Sequence, residues 1–346
     1  MKRNNTRRLL ISTLVAVVVV VAFVLLGSFA KIPYVALSPG PTVNTLGEFD
    51  GKPVVVVTGG EDDHPKGHSN LTTVSLTDQI TLFQGIGMWV SGDYQLQPRE
   101  LYFPRGKSDD EVRKENVQQM MGSGDNATGA ALTYLKRPTA VGIGSIADDS
   151  PAKGRLEVND VLVAVDGTAV GTAQQVHDRI RSRKPGEKVT LTVNRAGGEK
   201  AVEVTLAARP DDAAAGYLGV TPKAVSADPK IRITYNTGDI GGPSAGLMPS
   251  LAVIDHLTPG DLSGGRFIAG TGTVVPAGEV GPIGGIQHKL RAAKKAGAEA
   301  FLVPADNCKE ALDDAPDGLE LVKVGSVTEA VDALGALDAG RPRPHC

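Results

Sequence analysis

Two glycine-rich segments near the C-terminal end of the chain carry the residue types that a nucleophilic hydrolase needs. The first is Gly241-Gly242-Pro243-Ser244-Ala245-Gly246, and the second is Gly284-Gly285-Ile286-Gln287-His288-Lys289. A serine hydroxyl becomes an effective nucleophile when a base takes its proton, and a lysine can be that base only while it is neutral. The two segments therefore predict that Ser244 and Lys289, 45 residues apart, work as a pair.

Ser244 is expected at the start of a helix. Pro243 suits the first helical turn, where its missing N–H is not needed, and an apolar stretch continues to about Leu257. Backbone N–H groups at a helix N-terminus stabilise an anion, so those of Gly242 and Ser244 are the predicted donors to an oxyanion. The alternative interpretation is that Ser244 only caps the helix.

Lys289 is expected on a second helix, which opens at Gly284 and is closed by Gly297. Its position lies on the flank of an apolar stripe formed by Ile286, Leu290 and Ala293. The side chain there either extends its amine to solvent or is held desolvated with a lowered pKa. Moving the pKa from about 10.4 to about 7.5 requires about 4 kcal/mol of destabilisation of the charged form, which burial can supply.

Two histidines offer alternative bases for Ser244. His288 adjoins Lys289, but neighbouring helical residues point about 100° apart, so both cannot face the serine. His256, which follows Asp255, lies at the far end of the serine helix, more than about 15 Å away along the axis. A Ser–His–Asp mechanism is therefore the less favoured interpretation.

The composition excludes several other classes of protein. The chain has 346 residues, 41% hydrophobic and 22% charged, which predicts two or three folded units. A net charge of -3 gives no electrostatic footprint for nucleic acid, and the sequence has no G-x-x-x-x-G-K-[ST] phosphate loop. Two cysteines cannot build a zinc cage or an iron–sulfur site, so neither a metal nor a cofactor is expected. The polar run from Glu61 to His64, with His68, lies among glycines and a proline and is interpreted as a solvated loop.

The N-terminal segment predicts a membrane anchor. Leu9 to Ala30 is 22 residues without a charge, which as a helix reaches about 33 Å and can cross a bilayer. Four Lys or Arg residues precede it and Lys31 follows, so the N-terminus is expected in the cytoplasm and the bulk of the chain outside the cell membrane. Ser28-Phe29-Ala30 leaves open a cleaved signal peptide instead.

The next region, residues 32–136, predicts a small α/β unit without chemistry of its own. Pro53–Thr58 and Leu71–Leu76 are rich in β-branched residues and are expected to be strands. Asp109–Met121 and Ala127–Leu135 are expected to be two helices, separated by Gly122-Ser123-Gly124.

Residues 137–210 contain Ser150-Pro151-Ala152 and, from Leu156 to Gly167, an L-x-x-N-D-V-L-x-x-V-D-G motif, followed by a helix capped by Thr172. In this order and in these motifs the segment resembles a bacterial PDZ domain. Asn159 stands where such motifs usually carry Gly, and Asn tolerates the positive φ of that turn. No Gly-Leu-Gly-Phe-type loop precedes the first strand, Ala140–Ile146, which puts binding of a C-terminal carboxylate in doubt. A peptide strand is expected to add between this strand and the Thr172 helix. The alternative is that the domain has a purely architectural role and binds no peptide. The predicted contacts are Ala140, Val141, Gly142, Ile143 and Val176.

The two glycine-rich segments resemble the Lon protease family, peptidase family S16, over roughly residues 218–334. The resemblance implies that Ser244 is the catalytic serine, Lys289 the catalytic lysine and Thr271 the threonine that orients the lysine. Gly241 stands where many members carry Asp, and Asp239 nearby is given no role. With the anchor and the PDZ-like region, the whole chain is similar to the membrane-anchored PDZ–Lon-like proteases of bacteria.

The resemblance implies an α+β chain in five parts: residues 1–31, 32–136, 137–210, a protease domain at 216–338 and a Pro-rich tail at 339–346. It implies an endopeptidase that acts without ATP on unfolded or flexible protein segments, and a homo-oligomeric ring, of six subunits. The alternative is a membrane-tethered peptide-binding scaffold with an inactive protease domain. The complete set of Ser244, Lys289 and Thr271 argues against that alternative.

Cys308 and Cys346 are expected to form a disulfide. Both lie in the part placed outside the membrane, where disulfides persist. The bond would tie down the tail, which has no apolar residue to dock it, and would close a loop of about 39 residues. The alternative is two unrelated thiols.

Overall fold

The computed structural model describes residues 2–60, 67–195, 197–238 and 240–346. The described residues form eight α-helices, numbered along the chain as α1 (Lys2–Phe29), α2 (Leu82–Ser91), α3 (Asp109–Tyr134), α4 (Ala173–Arg181), α5 (Leu247–Leu257), α6 (Ile286–Ala296), α7 (Cys308–Leu312) and α8 (Val327–Asp338). The strands are β1 (Tyr34–Asn44), β2 (Glu48–Phe49), β3 (Lys52–Pro53), β4 (Val55–Thr58), β5 (His68–Thr77), β6 (Gln95–Pro98), β7 (Thr139–Ile146), β8 (Val161–Val165), β9 (Thr168–Ala169), β10 (Lys188–Arg195), β11 (Gly198–Thr205), β12 (Ala207–Arg209), β13 (Asp212–Tyr217), β14 (Val220–Ser226), β15 (Arg232–Tyr235), β16 (Phe267–Gly270), β17 (Thr273–Val274), β18 (Val280–Gly281), β19 (Ala300–Pro304) and β20 (Glu320–Val324).

The chain forms two compact units, and the first consists of residues up to 41 together with residues 73–115. Within α1, the stretch Leu10–Phe29 is the one part of the described chain that is long and apolar enough to cross a membrane. The start of β1 pairs antiparallel with β6. Thr81 caps α2 through a reciprocal pair of hydrogen bonds with Gln84, which fixes where this short helix begins.

The second unit, residues 42–72 and 116–346, contains a parallel arrangement of β20, β19, β16 and the start of β5. The side chains of β19 alternate between two cores, as the period of a strand requires. Ala300 and Leu302 pack in the core that contains α5 and α8. Phe301 and Val303 pack in the core that contains α6. The helices α5 and α6, which follow Ser244 and carry Lys289, therefore lie on opposite sides of β19.

The PDZ-like part of this unit is an antiparallel sheet in the order β11, β10, β8, β7, β14, with β9 beside β8. Its core contains residues of the sheet and of α4, among them Ile143, Leu162 and Val176. Asn159 has a φ of +73°, which confirms the tight turn expected at that position. The strand β14 lies beyond the boundary expected for the PDZ-like domain at residue 210, so the sheet includes residues that the sequence assigned to the protease domain.

The sequence predicted that residues 32–136 form a separate α/β unit, but the structure divides them between the two units. Residues 42–72 and 116–136 belong to the same unit as the protease residues. In that unit β4 pairs with β15, and the start of β5 pairs with β16. The two helices expected between 109 and 135 are one continuous helix, α3, which runs through Gly122-Ser123-Gly124.

The C-terminal tail is held against β20. The structure joins Cys308 and Cys346 by a disulfide, with their Cα atoms 5.0 Å apart. The backbone N–H of Lys323 donates to the carbonyl of Pro344, and Arg343 forms an ion pair with Glu320. The tail is therefore fixed by polar contacts, by the disulfide and by the packing of Cys346 against the core that contains α6.

Candidate active site

The structure brings Ser244, Lys289 and Thr271 together. The Nζ atom of Lys289 lies 2.9 Å from Oγ of Ser244 and 2.9 Å from Oγ1 of Thr271. The Thr271 hydroxyl donates to the backbone carbonyl of Ser244 at 3.2 Å. The three side chains come from three segments of the chain and meet in one hydrogen-bonded cluster.

Lys289 is positioned by a helix that is buried on the side facing β19. Gly285 precedes α6 with a φ of +69°, and Gly297 closes the helix with a φ of +98°, both in the left-handed region that favours glycine. The first turns bury Ile286 and Leu290 completely, and Lys289 between them is 2% exposed. Of the two orientations that the sequence left open, the structure has the desolvated one, and the amine does not extend to solvent.

Burial lowers the pKa of the Lys289 amine to about 8. The cause is desolvation, which penalises the charged ammonium, because both of its side-chain partners are neutral hydroxyls. Among the described residues no carboxylate forms an ion pair with this lysine. The amine is therefore neutral for a substantial fraction of the time near physiological pH, which is the state that a general base needs.

Ser244 does not lie in the first turn of a helix, which corrects the expectation from the sequence. The helix α5 begins at Leu247, and Gly246 precedes it. The N–H groups of Gly246 and Leu247 donate to the carbonyl of Gly272, and the N–H of Gly272 donates to the carbonyl of Ser244. This segment therefore pairs with the chain around Thr271 and stays outside the helix. The pairing also places Thr271 beside Ser244.

The two predicted oxyanion donors differ in the structure. The backbone N–H of Gly242 donates to the carbonyl of Asn116 at 2.9 Å, so it is engaged and the expectation for Gly242 was wrong. The N–H of Ser244 has no acceptor among the described residues and remains available. A Cβ on Gly241 would lie 2.8 Å from Cβ of Asn116, so the loop and α3 approach too closely for any other residue there.

Helix α3 supports the serine loop, a role that sequence reasoning missed. The hydroxyl of Ser123 lies 3.0 Å from the carbonyl of Pro243, the residue before Ser244, and 3.1 Å from the carbonyl of Gln119 in its own helix. Next to it, a Cβ on Gly124 would lie 2.8 Å from the ring of Tyr235, so glycine is required for the packing of α3. The Gly-Ser-Gly segment that suggested a break between helices is instead a contact surface.

The alternative bases are not placed at the serine. The side chain that contacts Oγ of Ser244 is Lys289, whereas His288 is buried, and its Nδ1 has no hydrogen-bond partner among the described residues. Burial lowers the pKa of His288 below its usual value. Asp255 lies near the far end of α5, where its carboxylate accepts from the N–H of Leu262.

No group of three or more potential metal ligands occurs in the part of the chain that the structure describes. The run Glu61 to His64 and the residue Asp239 lie outside the described residues.

The strand predicted to receive a peptide has no free edge among the described residues. One side of β7 pairs with β8, and the other side pairs with β14 along the whole strand. The prediction for Ala140, Val141, Gly142 and Ile143 was therefore wrong, and Val176 is buried in the core of the domain. The edge of the sheet next to α4 is β14. A sequence signal was present, because Gly216-Tyr217-Leu218-Gly219 before β14 resembles the Gly-Leu-Gly-Phe-type loop sought before Ala140.

Comparison with known proteins identifies both parts of the second unit. Residues 117–206 match the model of the PDZ domain family, and residues 215–335 match that of the Lon protease (S16) C-terminal proteolytic domain. The chain is 35% identical over 127 residues to the Lon protease of Mycolicibacterium smegmatis, a match that covers 35% of this chain and 15% of that protein. It is 32% identical over 145 residues to a probable periplasmic serine endoprotease, DegP-like, of Ectopseudomonas mendocina, covering 36% of this chain and 30% of that protein.

The matched segments thus span less than a third of the length of these two relatives. Among solved structures, the PDZ domain of an SdrC-like protein from Listeria monocytogenes aligns at 25% identity with a TM-score of 0.22, covering 24% of this chain and 86% of that one.

Proposed function

We propose that this chain, which contains a PDZ domain and the proteolytic domain of a Lon-type (S16) serine peptidase, is a membrane-anchored endopeptidase that uses a Ser244–Lys289 dyad and needs no ATP. One observation carries the proposal: a lysine amine, 2% exposed and with its pKa lowered to about 8 by burial, lies 2.9 Å from a serine hydroxyl. A buried lysine without a carboxylate partner is costly for folding, and a role as a neutral base accounts for it.

The dyad performs peptide hydrolysis in two steps. In the first, the neutral amine of Lys289 takes the hydroxyl proton as Oγ of Ser244 attacks the carbonyl carbon of the scissile bond. The resulting ammonium gives that proton to the nitrogen of the departing peptide as the C–N bond breaks, which leaves an ester on the serine. In the second step the same amine takes a proton from water as the water oxygen attacks the carbonyl carbon of the ester. The bond from that carbon to Oγ of Ser244 then breaks, the ammonium gives the proton back to Oγ, and the peptide leaves with a new carboxyl group. The N–H of Ser244 is the donor available to the oxyanion in both steps.

Thr271 fixes the direction of the amine. Its single hydroxyl hydrogen is donated to the carbonyl of Ser244, so its oxygen can only accept a hydrogen from Nζ of Lys289. With one amine hydrogen directed at Thr271, the nitrogen lone pair is free to face the hydroxyl of Ser244. Thr271 is therefore a positioning residue, which acts through the lysine.

The PDZ domain supplies the contact with protein substrates. We place the added peptide strand along the outer edge of β14, beside α4, since this edge of the sheet has no strand partner among the described residues. The sequence has no phosphate loop that would bind ATP for unfolding, so the substrates are unfolded or flexible segments that reach Ser244 without mechanical help.

Helix α1 supports the proposed membrane anchor and location. Twenty residues of α1, Leu10–Phe29, span about 30 Å, the thickness of the hydrocarbon core. The basic residues before this stretch support our proposal that the N-terminus lies in the cytoplasm and the two domains outside it. The disulfide between Cys308 and Cys346 supports an oxidising compartment.

Degradation of casein by the purified, detergent-solubilised chain tests this function. We expect hydrolysis by the unaltered protein and none by Ser244→Ala, which lacks the nucleophile. Lys289→Arg should also be inactive, because a guanidinium is not deprotonated in this pH range. Lys295→Arg is the matched control: it lies on the exposed side of α6 and should keep full activity. Absence of casein hydrolysis in a folded, unaltered chain, with casein bound, would favour the scaffold instead.

A further inference from the structure

The helix α2 exposes a stripe of large apolar side chains. Its ten residues, Leu82–Ser91, include no charged side chain. Ile86, Trp89 and Val90 are 47%, 69% and 72% exposed, although their spacing puts them on one side of the helix. Phe83 precedes Ile86 by three residues and so belongs to the same side. A contiguous exposed surface of this kind marks an interaction site.

This helix is held against the outer end of α1. The ring of Phe83 packs edge-on against that of Phe23, with the ring centroids 5.6 Å apart. A Cβ on Gly27 would lie 2.5 Å from the Phe83 ring, so α1 carries a glycine where α2 crosses it. The chain between the helices is fixed as well, because the N–H of Ile32 donates to the carbonyl of Ile80.

The contact with Phe23 sets the depth of α2. Phe23 lies six residues before Phe29, the last residue of the apolar stretch, which is about 9 Å along the helix axis. When Leu10–Phe29 spans the hydrocarbon core, Phe23 and the Phe83 ring packed on it lie below the surface of that core. The apolar stripe that begins at Phe83 is therefore continuous with the lipid-facing surface of α1.

We infer that α2 is a second membrane contact of this protein, lying in the boundary between headgroups and acyl chains with Ile86, Trp89 and Val90 in the lipid. The inference rests on the proposed membrane anchoring by α1. An amphipathic tryptophan is the side chain that most favours this boundary, and burial of the stripe removes apolar surface from water. The contact fixes the first unit at the bilayer at two points, where α1 alone would allow it to rotate about a single anchor.

The only tryptophan of the chain, Trp89, reports on this surface directly. We propose to reconstitute the full-length chain into phosphatidylcholine vesicles, with or without phosphatidylcholine brominated on the acyl chains close to the headgroup. Tryptophan emission should be blue-shifted relative to the denatured chain, and the brominated lipid should remove most of it. Ile86→Ser with Val90→Ser should reduce the quenching, whereas Val158→Ser, a control at another exposed apolar residue, should not change it.

Flotation of the same vesicles separates membrane anchoring by α1 from the contact of α2 with lipid. A chain that floats with the vesicles while its Trp89 emission is unaffected by brominated lipid overturns the inference and leaves the anchor intact. Blue-shifted emission that resists both brominated lipid and aqueous acrylamide also overturns it, because Trp89 is then covered by protein, such as a second copy. A chain that fails to float contradicts the anchoring, and the inference with it.

Discussion

Replacing Thr271 by Val removes one hydroxyl from the centre of the site while keeping the volume of the side chain. Thr271 is 2% exposed, so water from the surface does not take over the hydrogen bonds that its hydroxyl makes. The substitution leaves one hydrogen of the Lys289 amine without its acceptor, and it removes one of the two donors to the carbonyl of Ser244, which still accepts from the N–H of Gly272. The lysine then loses the contact that directs its lone pair at the serine.

The expected loss follows from the cost of these unmade hydrogen bonds. A buried polar group left unsatisfied costs about 1–3 kcal/mol, and we take about 2 kcal/mol for the loss of orientation in the transition state. Each 1.36 kcal/mol is tenfold in rate, so kcat/KM should fall about 30-fold with little change in KM. The pKa of Lys289 should stay the same or fall, because an acceptor of the ammonium hydrogens has been removed.

The assay is hydrolysis of a short fluorogenic peptide over a range of pH, with the unaltered chain, Thr271→Val and Thr271→Ser in parallel. Thr271→Ser keeps the hydroxyl and should recover most of the activity. The pH profile of Thr271→Val should be lower at every pH, with its midpoint not moved upwards. Full activity in Thr271→Val, or recovery of its rate at high pH, would refute the orienting role.

Three further predictions concern the contact of Ser123 with the serine loop, the PDZ domain and the disulfide. Ser123→Ala removes the hydroxyl that contacts the Pro243 carbonyl and should lower kcat/KM about tenfold, at about 1.4 kcal/mol, with little change in the melting temperature. Gly122→Ala, where a Cβ would meet open space, is its control, and equal rates in the two variants would exclude this support. Residues 139–226 can be replaced by Gly-Gly, because the N–H of Ala227 already donates to the carbonyl of Pro138. This deletion should impair the hydrolysis of casein more than the hydrolysis of short peptides. An equal loss for both, in a folded variant, would indicate an architectural PDZ domain. Denatured, unreduced protein should show no free thiol, and replacing both cysteines by Ser should lower the free energy of unfolding by about 4 kcal/mol for a 38-residue separation. Two thiols per chain would contradict the bond.

The central pair was predictable because its signals are local. The glycines around Ser244 and before Lys289 stand in short, distinctive segments, and the helix that carries Lys289 ends at the expected Gly297. The start of α5 was not predictable, since it depends on pairing between Gly246 and Gly272, which are 26 residues apart. Local preference favoured a helix from Pro243, and a tertiary contact prevented it.

The contacts that hold the serine loop against α3 have no local signal in the sequence. Ser123 lies 120 residues from Pro243 and contacts a backbone carbonyl, which every residue has. Glycine is a poor helix former, so Gly122 and Gly124 indicated a break, yet packing of Gly124 on Tyr235 outweighs that preference. The pairing of β14 with β7 likewise joins residues from both sides of an apparent domain boundary, which periodicity along the chain does not reveal.

The pH dependence of kcat/KM for a short peptide tests most directly whether neutral Lys289 is the base. This parameter reports ionisations of the free enzyme, and only the neutral amine can take the proton of Ser244. Activity should therefore be lost as the pH falls through about 8, the value to which burial lowers the pKa of Lys289, and should be level above it. A midpoint near 6.5, the usual pKa of a histidine, or a rate that does not depend on pH across this range, would contradict the account.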